Sequence, residues 1–285
     1  MTKRTPVLLA SVLVAGAIAV GPASGAPVTD LALHRAVYDL RLADASDESS
    51  IGSAAGRMVF DLSGSVCDGY TTNLRFVTQI SDTEGYGRVT DVHTSTFEEG
   101  DGDRFRFTTR TYVDGTLSED TVGSADRSTG TVHVELTKPE KKSFELPAGV
   151  LFPNQHLLKL LGAAESAQSF VQIDLFDGSD KGDKTFSTSA VIGAKNTGAD
   201  SLGDEAAASK AGIGGVDHWP ITLSYFEGKP GATGEQTPVY ELSFVLYKNG
   251  ITRRMRLDYG DFSLEGRLVE LQLKPQDQQQ PCAGR

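Results

Sequence analysis

Apolar and polar residues alternate one for one through most of this chain, and few folds accept that pattern. In "CDGYTTNLRFVTQI" the even positions Tyr70, Thr72, Leu74, Phe76, Thr78 and Ile80 make one mostly apolar face, while Asn73, Arg75 and Gln79 fall on the other. "DRFRFTTRTYV" sets Phe105, Phe107 and Val113 against Arg104, Arg106 and Arg110, and "TVHVELT" sets Val132, Val134 and Leu136 against Thr131, His133 and Glu135. "HWPITLSYF" repeats it with Trp219, Ile221, Leu223 and Tyr225. A period of two belongs to strands, whose successive side chains point to opposite faces. One apolar and one wet face belong to antiparallel sheets. In "YELSFVLYKNGITRRMRLDYG" two such runs flank Asn249-Gly250, which predicts a hairpin with a two-residue loop. With further runs beginning near Leu33, Arg57, Tyr86, Phe170, Phe186 and Phe262, the pattern predicts about a dozen strands.

One stretch departs from the period. "LPAGVLFPNQHLLKLLGAAESAQSF" carries Leu157, Leu158, Leu161 and Ala164 at helical spacing, and Pro153 stands where a first-turn residue needs no N–H. A helix of about 12–14 residues is expected, docked on the sheet by its leucine face. "GAKNTGADSLGDEAAASKAGIGG", at about 193–215, reads as a long mobile loop whose alanines suit one helical turn. A dozen amphipathic strands sharing one core close as a barrel, pack as a sandwich or wrap as one curved sheet. The expected class is all-β.

The start of the chain sets a compartment. Lys3 and Arg4 precede an apolar run from Pro6 to Val20 and the small residues "GPASGA", the three-part pattern of a secretory signal peptide cut after Ala26. The run is shorter than the ~20 apolar residues of a membrane-spanning helix. Residues 1–26 are therefore read as the signal peptide and 27–285 as a single β-rich exported domain, which the family resemblance given below places in the periplasm. Cys67 and Cys282 are the only two cysteines. In an oxidising compartment they allow one intramolecular bridge, closing a loop of roughly 215 residues worth about 5 kcal/mol at most in the chain-entropy model. The alternatives are a reactive thiol or a bridge between chains. The formal net charge of −11 becomes −13 once the leader, with two cations and no acid, is removed. Nucleic acid and anionic lipid surfaces repel such a chain.

Motifs for chemistry are scarce. The sequence lacks HExxH, G-x-S-x-G and Walker-type signatures. His34, His93, His133, His156 and His218 are scattered, and none has a second histidine at ligand spacing. "EEGDGDRF" and "DLFDGSDKGD" gather acids as calcium loops do, yet the twelfth position counted from Asp101 is Tyr112 and from Asp177 is Thr188, where an EF-hand needs glutamate. Asp with Gly is also ordinary turn chemistry. No catalytic residue, cofactor or metal is assigned. Lys138 to Lys142 and Arg253 to Arg256 form small basic clusters, the second with Arg254 and Arg256 on one strand face and Met255 and Leu257 on the other.

Four stretches, "GRMVFDLSGSVCDGYTTNLRF", "LPAGVLFPNQHLLKLL", "FDGSDKGDK" and "LYKNGITRRMRLDYGDFSLEGRL", together with one early and one terminal cysteine, resemble the EipB family of exported cell-envelope integrity proteins from Gram-negative bacteria. The resemblance runs from about Leu33 to Cys282. It implies a long, strongly bent antiparallel sheet, a β-spiral or open barrel-like form, with one helix against it. It also implies a periplasmic disulfide at Cys67 and Cys282, and a role in supporting the envelope under stress without enzymatic activity. Its implied partners include a periplasmic tetratricopeptide-repeat protein. An apolar concave face further suits a lipidic ligand. The contrasting expectation is an envelope hydrolase acting on cell-wall or lipid material, which requires paired carboxylates or a His–Asp pair in an open cleft.

Overall fold

The computed structural model describes residues 31–127, 130–197, 205–227 and 236–275. Fourteen strands among them form one antiparallel sheet. The first meander is β1 (His34–Ala45), β2 (Ile51–Ser65), β3 (Gly69–Asp82), β4 (Gly87–Glu98), β5 (Arg104–Val113), β6 (Thr116–Asp126), β7 (Val132–Lys138) and β8 (Lys142–Leu146). The second is β9 (Phe170–Leu175), β10 (Phe186–Ile192), β11 (His218–Glu227), β12 (Tyr240–Tyr247), β13 (Thr252–Asp258) and β14 (Phe262–Leu273). Every neighbouring pair is consecutive along the chain except β1–β14, which fuses the two meanders and leaves β8 and β9 as edges.

The alternating pattern yields fourteen strands where about a dozen were expected. The two without a clear signal are β6 and β8. "TLSEDTVGSAD" has few apolar residues because Gly123 stands where the ring of Phe107 needs the space, 2.5 Å from an added Cβ. "KSFEL" is a short edge strand whose lysine belongs to the basic cluster, as edge strands often carry to discourage further pairing. The β12–β13 hairpin forms, but with three loop residues: Tyr247 N–H donates to the Ile251 carbonyl, and Gly250 takes the left-handed φ of 84°.

The free edges meet through the β8–β9 connection. After β8 the chain runs to α1 (Pro153–Glu165), with Pro153 in its first turn. Leu151 lies beside β9: its N–H donates to Asp174 O and its carbonyl accepts from Phe176 N–H. Val150, Phe152 and Phe176 thereby bury against Phe105, Phe107, Val132 and Val134, forming a small core. The Phe105 and Phe152 rings stack at 5.0 Å, and Phe176 meets Phe107 edge-on at 5.6 Å. Lys142 pairs with Asp183 at 2.7 Å across the same seam. The "DGSDKGD" stretch follows Phe176 onto this core. A Cβ on Gly178 would stand 2.4 Å from the Phe107 ring, and one on Gly182 2.9 Å, so these glycines serve close packing.

The larger core lies on the same sheet face and gathers Tyr38, Leu62, Tyr70, Trp219, Ile221, Leu223, Leu246 and Leu268 around Leu160, Leu161 and Ala164 of α1. Cross-strand partners place the two cores on one continuous face. Leu62 of the larger core opposes Thr72, which opposes Thr96, which opposes Phe107 of the smaller. The sheet is rolled with this face inward, and α1 lies across one end of it.

Candidate functional site in the concave face

Between the two cores the inner face of β3 and β4 is only half covered. Successive cross-strand pairs are Leu74–Thr94, Phe76–Val92, Thr78–Thr90 and Ile80–Arg88, with Val113 of β5 opposite Thr90. Leu74, Phe76, Ile80 and Val92 are half-buried and belong to neither core. They form an apolar strip running from α1 toward the opposite end of the strands. There it reaches a concavity of about 520 Å³ lined by Ile51, Ile80, Asp82, Tyr86, Arg88 and Thr90. Small hydroxyls alternating with apolar side chains leave room that leucine or phenylalanine at every position would fill.

The α1 end is fixed by a carboxylate from the sheet. Phe152 precedes the helix and offers no capping side chain. Glu98, at the end of β4 and 1 % exposed, supplies it instead. The Asn154 N–H donates to Glu98 Oε2 at 2.7 Å and the Gln155 N–H to Oε1 at 2.9 Å. The helix N-terminus favours negative charge there, yet burial disfavours it more and pushes the Glu98 carboxyl up to about 7, against the lowering effect of the two N–H groups and Arg127. A folded-state value above the ordinary 4.5 means that the fold favours the protonated group. This contribution is complete below about 4.5 and fades as pH rises through about 7. Urea titrations of wild type and Glu98→Gln should accordingly diverge in slope between pH 5 and 8, with the variant losing less stability as pH rises. Parallel curves would contradict this role for Glu98. His156, bonded to Thr188 Oγ1 at 2.9 Å, is held down to about 4 by burial. It is present in both proteins and cancels in the comparison.

A second buried polar group closes the other side of the larger core. β13 and β14 pair only from Met255–Gly266 to Asp258–Ser263. Beyond that, Thr252 and Arg253 stay with β12 while β14 continues on β1. Glu205 enters this splay just before α2 (Ala206–Lys210), which packs on β14. Its Oε2 accepts from Arg253 Nε at 2.5 Å and its Oε1 from the Leu268 N–H at 2.8 Å, replacing a strand carbonyl. The Tyr38 hydroxyl donates to the start of β13 at Thr252 O, 2.8 Å away, and Arg253 Nη1 donates to the Tyr247 hydroxyl at 3.1 Å. Arg253 is 0 % and Glu205 3 % exposed. The 205–215 part of the expected mobile loop is thus packed structure, with Ala208 and Ile213 also buried, while residues 194–197 are exposed. Residues 198–204 of that loop lie outside the described residues.

The other sequence candidates are dispersed. Cys67 sits half-buried in the β2–β3 turn. Cys282 and the leader at 1–26 lie outside the described residues. His34 and His218 bond to nearby carbonyls of Ala32 and Val216, and His133 lies beside Glu135 on the outer face. The acid clusters are spent on the fold: Glu98 caps α1, Glu99 pairs with Arg104, Asp101 Oδ1 accepts the Asp103 N–H, and Asp180 pairs with Lys184. Arg254 and Arg256 are exposed while Met255 is buried, as the alternation requires. Arg253 is buried too, next to a register shift at Arg254, which takes a left-handed φ of 52°, so simple alternation in "RRMR" does not predict its burial.

Among the described residues one His–Asp pair does form, on the convex face. His93 Nε2 stands 3.0 Å from Asp91 Oδ1, while Arg75 takes both Asp91 oxygens at 2.8 and 3.1 Å and holds the carboxyl below its usual range. Ser95, next on that strand face, donates its hydroxyl to Asn73 Oδ1 at 2.8 Å. A hydrolytic arrangement requires that hydroxyl on the histidine; here the group is a surface ion network.

Residues 25–275 match the EipB-like family. The chain belongs to the EipB-like family. It is 41 % identical over 253 residues to the cell envelope integrity protein EipB of Brucella abortus, covering 89 % of this chain and 88 % of that one. The crystal structure of a beta-barrel-like protein of a domain of unknown function from Brucella abortus superposes with a TM-score of 0.79 at 41 % identity, covering 87 % of this chain and all of that one. The rolled sheet is therefore an EipB-like architecture. None of the helices among the described residues is long and apolar enough to cross a membrane.

Proposed function

We propose that this EipB-like chain is exported through its leader to the periplasm and supports cell-envelope integrity there without chemistry of its own. It does so by binding periplasmic proteins, among them a tetratricopeptide-repeat protein, and an acyl-chain lipid on its concave face. The observation that carries the lipid reading is the half-buried strip Leu74–Phe76–Ile80–Val92, apolar surface that neither core covers. Unspent apolar surface of this kind marks ligand sites in rolled sheets. The relative's name, a cell envelope integrity protein, supports the envelope role.

The proposed Cys67–Cys282 bond ties the end of this domain to the first meander. β14 ends at Leu273, on β1 opposite His34, at the same end of the strands as the Cys67 turn. The Lys274 N–H donates to Leu33 O, and its Nζ pairs with Asp61. Two strand spacings and five residues of β2 separate that point from Cys67, roughly 19 Å at strand dimensions. The seven steps from Pro275 to Cys282 span at most ~25 Å, enough to reach it. Among the described residues no cysteine is free. Reductant should lower the melting temperature of wild type and leave Cys67→Ser unchanged at the lower value. Identical melting of oxidised and reduced wild type would refute a stabilising bond.

The cellular test is deletion of the gene followed by challenge with detergent and cell-wall antibiotics. Wild-type protein should restore resistance. Val92→Arg, which fills and charges the apolar strip, should fold and fail to restore it. Full rescue by Val92→Arg would remove the concave face from the function, and the absence of any sensitivity on deletion would overturn the envelope reading.

A further inference from the structure

The apolar strip ends on an arginine. Arg88 is the cross-strand partner of Ile80 on the inner face of β4; it is exposed and forms no ion pair among the described residues. It lines the 520 Å³ concavity with Ile51, Ile80 and Tyr86. Asp82, also at this mouth, has its Oδ1 occupied by the Glu84 and Tyr86 N–H groups at 3.0 and 2.9 Å, and it makes no ion pair with Arg88. From this mouth the half-buried side chains Ile80, Phe76 and Leu74 continue inward for six residues, roughly 20 Å of strand. Exposed apolar side chains stand around the same end of the sheet: Tyr86 in the β3–β4 turn, Leu117 at the start of β6 and Tyr259 after β13. On a chain whose net charge is −11, an inner-face guanidinium above an apolar track, with no ion pair among the described residues, is a specific arrangement.

We infer that Arg88 receives the anionic headgroup of a single-chain amphiphile whose tail lies along Ile80, Phe76, Val92 and Leu74. This rests on the lipidic reading of the concave face and names the chemistry it selects. A guanidinium binds carboxylate and phosphate monoester alike through paired charge-assisted hydrogen bonds, so the shared feature is a terminal anion on one alkyl chain. The depth of the strip matches an alkyl chain lying along the strands, and the small side chains of Thr78, Thr90 and Thr94 leave room for it between the larger ones.

Three dodecyl probes separate the possibilities: dodecanoate, dodecyl phosphate and the uncharged dodecyl maltoside. Each is titrated into the full mature protein by calorimetry, with wild type, Arg88→Gln and Val92→Asp. Wild type should bind at least one anionic probe more tightly than the maltoside, and whichever anion wins identifies the headgroup. Arg88→Gln should weaken the anionic probes at least tenfold and leave the maltoside unchanged. Val92→Asp should weaken all three. If Arg88→Gln leaves the anions unaffected, or weakens the maltoside equally, the headgroup assignment fails while the container stands. If no probe binds wild type, the lipidic reading itself fails.

Discussion

Removing either member of the Glu205–Arg253 pair should cost about 3–5 kcal/mol of folding free energy, because the survivor is left charged in the core. Both side chains are almost fully buried, and together with Tyr38, Tyr247 and the Leu268 N–H they occupy the gap where β13 leaves β14. Glu205→Ala additionally orphans that N–H, which the sheet cannot satisfy because β13 is out of reach at this point. Urea unfolding followed by tryptophan fluorescence suits the test, since Trp219 lies in the larger core. Replacing both charges at once, Glu205→Gln with Arg253→Met, should recover much of the loss, because the desolvation cost of the pair disappears with it. Single-variant losses below about 1 kcal/mol, the range of exposed pairs, would show that water reaches the network and that 205–215 does not seal the sheet.

Phe176→Ala should be the most damaging single truncation in the smaller core, at about 3–5 kcal/mol. Phe176 is fully buried and meets Phe105, Phe107 and Phe144 edge-on. It is also the residue by which the β9 edge grips the face of β5–β8. The expected consequence is therefore local as well as global. Hydrogen exchange should accelerate first in β7 and β8, which have only the end of the first meander and this core to hold them. A uniform acceleration across all fourteen strands would instead mean that the seam does not form a separable unit.

What the sequence discloses depends on whether a residue's environment is local. Strands such as β3, β5 and β11 were legible because their two faces differ along the segment itself. The helix was legible for the same reason, and Pro153 marked its start. β6 was not, because its inner face is shaped by Phe107 of a neighbouring strand and so tolerates glycine. The packed part of 193–215 was hidden for a related reason. Glu205 lies in a run of Gly, Ala and Asp that composition assigns to solvent, and its partners Arg253 and Leu268 are 48 and 63 residues away. The concave strip shows the intermediate case. Alternation placed Leu74 and Phe76 on an apolar face, but only the positions of α1 and of the smaller core reveal that nothing from either core covers them. Arg88 carried no sequence signal at all, since an arginine in a strand near a turn is ordinary until its cross-strand partner is known.

The most direct measurement is native mass spectrometry of the protein purified, without reductant, from the periplasm of cells expressing the full chain. The expected species is the chain beginning after Ala26, two hydrogens lighter than its reduced form, carrying an additional mass of single-chain lipid size that is lost on delipidation and regained from an anionic dodecyl amphiphile. A bare chain that takes up no amphiphile under any condition would contradict the concave face as a lipid site.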